Sequence, residues 1–274
     1  MEIYDVNGSE VLTVYDFRGN TVENLFDATG NNVSDLVVMS YNVQRFRGIN
    51  SSADIVDGIF RKYKPDIIGF QEYQTTSTMD GVDIPTFLGR YWEHLEIGDT
   101  KIMNYTKAVA SNLELTDPST VYYTAYTESR SYQKMYVTIY GKRIAVFNTH
   151  LDISANKEKQ IKELFDAVSQ EEYFIIIGDL NTVCKSTTDV DYIYMMKQFV
   201  DAGYHCANCS DQNGFHDTWT DGTTETNGSW EQTDNVITSA NIDISKVVID
   251  RAKIEANTGK TLDHLPLIAY LKVK

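Results

Sequence analysis

Ile175-Ile176-Ile177-Gly178-Asp179-Leu180-Asn181 is an apolar run that stops on a carboxylate and, two residues later, on a carboxamide. Consecutive isoleucines before Gly-Asp read as a strand buried on both faces, and such a strand end points acid chemistry out of a core. Side chains alternate along a strand, so Asp179 and Asn181 would leave on one side, about 7 Å apart and within reach of one ligand. Taken alone the segment is also an ordinary turn, since Gly-Asp and Asn punctuate strand ends. Repetition tips the balance. Val37-Val38-Met39-Ser40-Tyr41-Asn42 ends on a carboxamide and Asp66-Ile67-Ile68-Gly69-Phe70-Gln71-Glu72 on a carboxylate. Arg143-Ile144-Ala145-Val146-Phe147-Asn148-Thr149-His150 ends on an imidazole, and Leu262-Asp263-His264-Leu265-Pro266-Leu267 sets an acid beside an imidazole where a last strand begins. Five strand ends carrying acids, amides and imidazoles point to one shared site.

The chain has 274 residues, room for one large domain or two modest ones, and its 42% apolar content is enough for a real core. There is no apolar stretch of about 18 residues and no basic-then-apolar leader, so neither a membrane span nor a signal peptide is expected, and the default address is cytoplasmic. Cys184, Cys206 and Cys209 are an odd set and exclude a fully paired disulfide framework. His205-Cys206-Ala207-Asn208-Cys209 with His216 has zinc-type ligands, but free thiols or one local disulfide between Cys206 and Cys209 are the plainer readings. Net charge is −15, which argues against holding nucleic acid by bulk electrostatics. Arg45 with Arg47, and Arg130 with Lys134, are local basic clusters that would face a phosphate or simply be solvated.

Residues 1–34 contain a period-eleven repeat: Tyr4-Asp5-Val6-Asn7-Gly8 with Val11, Tyr15-Asp16-Phe17-Arg18-Gly19 with Val22, and Phe26-Asp27-Ala28-Thr29-Gly30 with Val33. Asp followed by Gly three residues later suits a type I turn, so each unit reads as a small hairpin, too small to form a core alone. The segment is expected to pack on the main domain, dock to another protein or self-associate. From residue 35 to 274 strands and helices mix without a linker. Helices are expected over Ser52–Phe60, Asn156–Gln170 and Asp189–Val200. Strands are expected over Val121–Tyr126, Met135–Tyr140, Arg143–Asn148, Asp234–Ser239, Ile244–Ile249 and Leu267–Val273, with Gly141-Lys142 as a hairpin turn.

Carboxylates, carboxamides and imidazoles without a nucleophilic Ser or Cys motif suit a hard divalent cation and an activated water, hence phosphoester hydrolysis. Ser40-Tyr41-Asn42-Val43-Gln44, Gly69-Phe70-Gln71-Glu72, Asn148-Thr149-His150-Leu151, Gly178-Asp179-Leu180-Asn181 and Asp263-His264-Leu265-Pro266 together resemble, in order, the motifs of the endonuclease/exonuclease/phosphatase superfamily. The resemblance covers roughly residues 35–274. It implies an α/β four-layer sandwich of two mixed β-sheets flanked by helices, here preceded by the repeat segment. It implies that Glu72, with Asn42, binds Mg2+ (Mn2+ or Ca2+ as alternatives), with Asp263 on the metal side. Asp179, held by Asn181, would orient or deprotonate the attacking water. His264, steered by Asp234, would contact the scissile phosphate, which His150 would also face, and Asn42, Arg130 and Tyr105 would contact substrate phosphates. Asp217 and Trp219 read instead as a turn residue and a core aromatic.

His150 in Asn-Thr-His-Leu resembles the deoxyribonuclease, sphingomyelinase and phosphatase branches, and Arg45-Phe46 resembles the deoxyribonuclease loop. Lys107 departs from that branch, which places an acid behind its histidine, and its cysteine-closed loop is absent. The expected function is metal-dependent phosphodiester hydrolysis by a DNA endonuclease. The alternatives are a phosphatase or sphingomyelinase-like enzyme on a small or lipid phosphoester, and a non-catalytic binding module with a vestigial site.

Overall fold

The computed structural model describes residues 34–46, 49–74, 76, 78–79, 81–99, 105–125, 130–219, 231–251 and 263–274, with the two-residue strands Val14–Tyr15 and Thr21–Val22. Those two short strands pair antiparallel inside the second repeat unit. The rest of residues 1–33 lies outside the described residues.

Two six-stranded mixed sheets form the body. In chain order their strands are β1 Leu36–Asn42, β2 Ile67–Gln74, β3 His94–Ile97, β4 Tyr105–Ser111, β5 Thr116–Tyr122 and β6 Ser131–Ile139. They continue as β7 Lys142–His150, β8 Phe174–Asp179, β9 His205–Cys206, β10 Asp234–Thr238, β11 Ile242–Ile249 and β12 Leu267–Val273. One sheet runs β11-β12-β1-β2-β4-β3 and the other β9-β10-β8-β7-β6-β5. Each has one parallel pair at its centre, β1 with β2 and β7 with β8, and antiparallel pairs elsewhere. A parallel pair needs a crossover, supplied by helix α1 (Ile49–Tyr63) in the first sheet and α3 (Asn156–Val168) in the second.

Strand alternation builds the layers. Leu36 and Val38 of β1 enter a core between the sheets with Val109, Val146, Ile175, Ile177 and Val236. Val37, Met39 and Tyr41 face the other way, onto Val56, Ile59 and Phe60 of α1 and onto Phe87 and Leu88 of the short helix α2 (Ile84–Leu88). Ala145, Phe147, Phe174 and Ile176 meet Ile161, Leu164 and Val168 of α3 and Phe199 of α4 (Lys197–Asp201). The order is helix, sheet, sheet, helix. No helix among the described residues is long and apolar enough to cross a membrane.

Several local expectations shift. The helix expected at Asp189–Val200 contains a π turn at Tyr192–Met196 before α4. The hairpin between β6 and β7 turns on Tyr140-Gly141, not Gly141-Lys142, because Ile139 pairs with Lys142. Both turn residues carry positive φ, 51° and 76°, the geometry that matches strand twist in a two-residue loop. The strand expected at Val121–Tyr126 lies earlier, at Thr116–Tyr122, on a sheet edge where Pro118 costs no ladder bond. All three cysteines are buried free thiols.

Candidate active site

Topology gathers the polar strand ends on one rim. β1, β2, β7 and β8 deliver their C-terminal ends there, with Asn42, Glu72, His150 and Asp179. Their antiparallel neighbours β4, β6, β10 and β12 deliver N-terminal ends, with Tyr105, Arg130, Asp234 and His264 at or just before the strand starts. The sheets approach closely beneath this rim. A Cβ on Gly69 would lie 2.6 Å from Ile177 Cγ2 of the opposing sheet. A buried polar layer crosses between them there: Gln71 Nε2 donates to Asn148 Oδ1 at 2.8 Å, and Asn148 Nδ2 donates to the Ala108 carbonyl at 2.9 Å.

Asp179 is the hub. Its Oδ2 accepts from Asn42 Nδ2 at 2.9 Å, and its Oδ1 from the Asn181 backbone N–H at 3.0 Å. His150 Nε2 stands 3.4 Å and His264 Nε2 3.6 Å from the same Oδ2. The strand ends at Asp179, so its alternation does not reach Asn181, which has φ 49° and turns its carboxamide to the Leu151 carbonyl. Asn181 therefore steadies Asp179 through main chain, not side chain.

His264 Nδ1 lies 2.7 Å from Asp234 Oδ2, which also accepts from Thr233 Oγ1 at 3.0 Å. The Asp234 backbone N–H donates to Thr218 Oγ1 at 2.9 Å. A carboxylate behind an imidazole fixes its tautomer and favours its cation. Burial opposes the His264 charge, but Asp234 and Asp179 outweigh it and raise the imidazole to about 10. Burial, with Asp234 adding to it, pushes Asp179 up to about 7 against the pull of His264 and two hydrogen bonds. His150 is driven the opposite way, well below an ordinary histidine, by burial and then by Arg130 and Lys107. The rim thus holds a cationic imidazole, a neutral one and a carboxyl group poised near neutrality.

The oxygen-rich side is organised by Gln44-Arg45-Phe46, three consecutive residues with φ of 41°, 61° and 55°. Left-handed backbone costs roughly 1–2 kcal/mol per residue, and buried Phe46 anchors it here. Gln44 donates its backbone N–H to Asn42 Oδ1 at 3.0 Å and Nε2 to Asp263 Oδ2 at 3.0 Å. Trp219 Nε1 donates to the same Asp263 oxygen at 3.4 Å, while Asp263 Oδ1 is buried without a partner among the described residues. Glu72 has φ 51° at a β-bulge, with a carboxylate oxygen 4.0 Å from Arg45 Nε, and Arg45 lies 4.9 Å over the Tyr105 ring. Asn42, Asp263 and Glu72 each offer oxygen donors of the kind a hard divalent cation takes, and the orphaned Asp263 oxygen suits such a ligand. Among the described residues, Asp179, Asp234 and His264 are the acids and imidazole whose ligand-type atoms all lie within 4.8 Å of one another, and Asn42 bonds to this group through Asp179. In that group the His264 Nδ1 is already committed to Asp234.

Gln44, Thr218 and Thr233 carry no assignment from sequence, and Trp219 reads there as a core aromatic. In the structure Trp219 is only half-buried, bridging to His264 as well as reaching Asp263. Gln44 lies within one of the five motifs, and Thr233 adjoins Asp234. Nothing local marks the others.

No protein-family model and no curated protein matches the chain in sequence. Solved structures do match. An endonuclease/exonuclease/phosphatase from Bacteroides vulgatus superposes with TM-score 0.67 at 15% identity, over 87% of this chain and 99% of that one. D. rerio TDP2 complexed with single strand DNA product gives 0.67 at 14%, over 86% and 98%. The human Nocturnin catalytic domain with bound sulfate anion gives 0.61 at 16%, over 87% and 94%. At these identities the likeness is one of architecture, and the chain has the fold of the endonuclease/exonuclease/phosphatase superfamily.

Proposed function

We propose that this chain is a divalent-metal-dependent phosphodiesterase, acting as a DNA endonuclease. The observation that carries the reading is the Asp234–His264–Asp179 arrangement: His264 Nδ1 lies 2.7 Å from Asp234 Oδ2 and its Nε2 3.6 Å from the buried Asp179 carboxyl group. His264 holds the scissile phosphate and presents a proton, and Asp234 keeps it charged and oriented. Asp179, oriented by Asn42 and the Asn181 backbone, accepts the proton of the attacking water. His150 donates a neutral N–H toward the phosphate, and Arg130 and Tyr105 contact substrate phosphates. Glu72, Asn42 and Asp263 would hold Mg2+, which would neutralise phosphate charge and polarise the ester. D. rerio TDP2, complexed with single strand DNA product on this fold, supports a nucleic-acid substrate.

In this reading residues 35–274 are the catalytic unit and 1–34 an attachment or self-association arm. Supercoiled plasmid incubated with the purified chain and Mg2+ is expected to be nicked. EDTA abolishes nicking, and His264→Ala reduces it at least about 10³-fold. An inert plasmid beside phosphate release from inositol phosphates or sphingomyelin would move the assignment to a small or lipid phosphoester.

A further inference from the structure

Lys157 stands in the first turn of α3, where a cation opposes the helix dipole, so its place there has a reason outside the helix. Its ammonium donates to Asp191 Oδ2 at 2.6 Å and to the backbone carbonyl of Asn181 at 2.8 Å. The pair spans 34 positions and is nearly buried, with side chains 13% and 14% exposed. By contrast, Lys162 with Asp166 and Lys197 with Asp201 are i,i+4 pairs on exposed helix faces. Asp191 Oδ2 also accepts the Val183 backbone N–H at 2.7 Å, so the ion pair grips the turn after β8 at two points.

That turn carries the group that steadies Asp179. Asn181 donates its backbone N–H to Asp179 Oδ1 at 3.0 Å and its Nδ2 to the Leu151 carbonyl at 2.8 Å, while its own carbonyl is the oxygen that Lys157 holds. Asn181 has φ 49°, a left-handed conformation that persists only where several contacts fix it. Releasing the carbonyl removes one of those contacts and lets the N–H turn away from Asp179. Gln160, three residues further along the same face of α3, makes the matching contact to the turn after β7. Its Oε1 accepts the Asp152 backbone N–H at 2.8 Å, two residues past His150. The start of α3 thus grips the exits of both strands that deliver His150 and Asp179 to the rim.

We propose that Lys157 is a positioning residue for Asp179, acting through the Asn181 peptide and backed by Asp191. It touches neither substrate nor reacting atoms. The role of Asp179 as the group that accepts the water proton rests on the phosphoesterase reading above, whereas the mechanical link from Lys157 to the Asn181 N–H does not.

Two readouts on the full chain test this. Amide hydrogen exchange followed by NMR needs no turnover. In Lys157→Met the Asn181 N–H is expected to exchange about tenfold faster than in wild type, while Ile175, Ile176 and Ile177 of β8 keep their protection. Lys157→Arg keeps Asn181 protected. Unchanged exchange at Asn181 overturns the proposal, and so does equal acceleration at Asn181 and the three isoleucines, the mark of a purely structural lysine. Should Lys157→Met fail to fold, the double variant Lys157→Met/Asp191→Asn leaves no buried ion unpaired and is held to the same two outcomes. The second readout is kinetic, with Mg2+ and a dye-labelled DNA duplex. Lys157→Met is expected to lower kcat about 10- to 100-fold with KM within about twofold, and Lys157→Arg to recover most of the loss. An unchanged kcat, a change in KM alone, or equal losses in the Met and Arg variants overturns the role. A wild-type chain inert toward the duplex, inositol phosphates and sphingomyelin, yet with lysine-dependent exchange at Asn181, would sink the phosphoesterase reading and leave the positioning role.

Discussion

Asp234 touches no substrate in this account, yet it sets the charge of the imidazole that does. Replacing it by Asn keeps the shape and removes the charge that holds His264 near 10. Asp234→Asn is expected to lower kcat about 10²- to 10⁴-fold with little change in KM, and an NMR titration should show the His264 imidazole losing its proton at lower pH. An unmoved imidazole would mean that Asp234 only packs. Lys107 makes the opposite case. Its folded-state value of about 7 lies below the ordinary 10.5, so between them the unfolded chain binds the extra proton and stability rises with pH. Lys107→Met, lacking that charge, is expected to melt higher than wild type below pH 7 in phosphate-free buffer. The advantage should shrink to nothing toward pH 10.5, and one that stayed constant across melts at pH 6, 8 and 10.5 would contradict the assignment.

The elements explain why these residues meet. β7 and β8 are parallel and in register, with His150 opposite Asp179 and Thr149 opposite Gly178, so two catalytic candidates leave adjacent strands at one level. A Cβ on Gly178 would meet the Thr149 carbonyl oxygen at 2.7 Å, and one on Gly69 would strike the stiff, branched Ile177 side chain across the sheets. Gly69→Ala is expected to cost about 1–3 kcal/mol in denaturant unfolding, because the sheets must part. An unchanged midpoint would show that the contact relaxes freely. The strand ends at Asn42, Asp179 and His150 are legible in sequence because an apolar run that stops on a polar group is a local signal. No such signal marks β3, and β5 lies earlier along the chain than its aromatic residues suggest. β5 is an edge strand, exposed over most of its length and holding Pro118, so it lacks the alternation that marks a half-buried strand.

At the scale of the whole molecule the site belongs to no single segment. Asn42 bonds to Asp179 across 137 positions and Gln44 to Asp263 across 219. Contacts of that range leave no trace in local pattern, which is why Gln44 has no role legible in sequence and why Trp219 reads there as a core ring. What sequence can supply is the set of candidate endings, and the two-sheet architecture turns that set into a cleft. The central claim is that Asp179 and His264, 85 positions apart, act as one unit on one phosphoryl group. A double-mutant cycle measures this directly, with Asp179→Ala, His264→Ala and the double variant compared in kcat/KM on a Mg2+-dependent phosphodiester assay. The account predicts that the double variant is no slower than the worse single one, within about threefold, as for residues that work together. A double variant whose loss equals the product of the two single losses would show two independent contributions and contradict it.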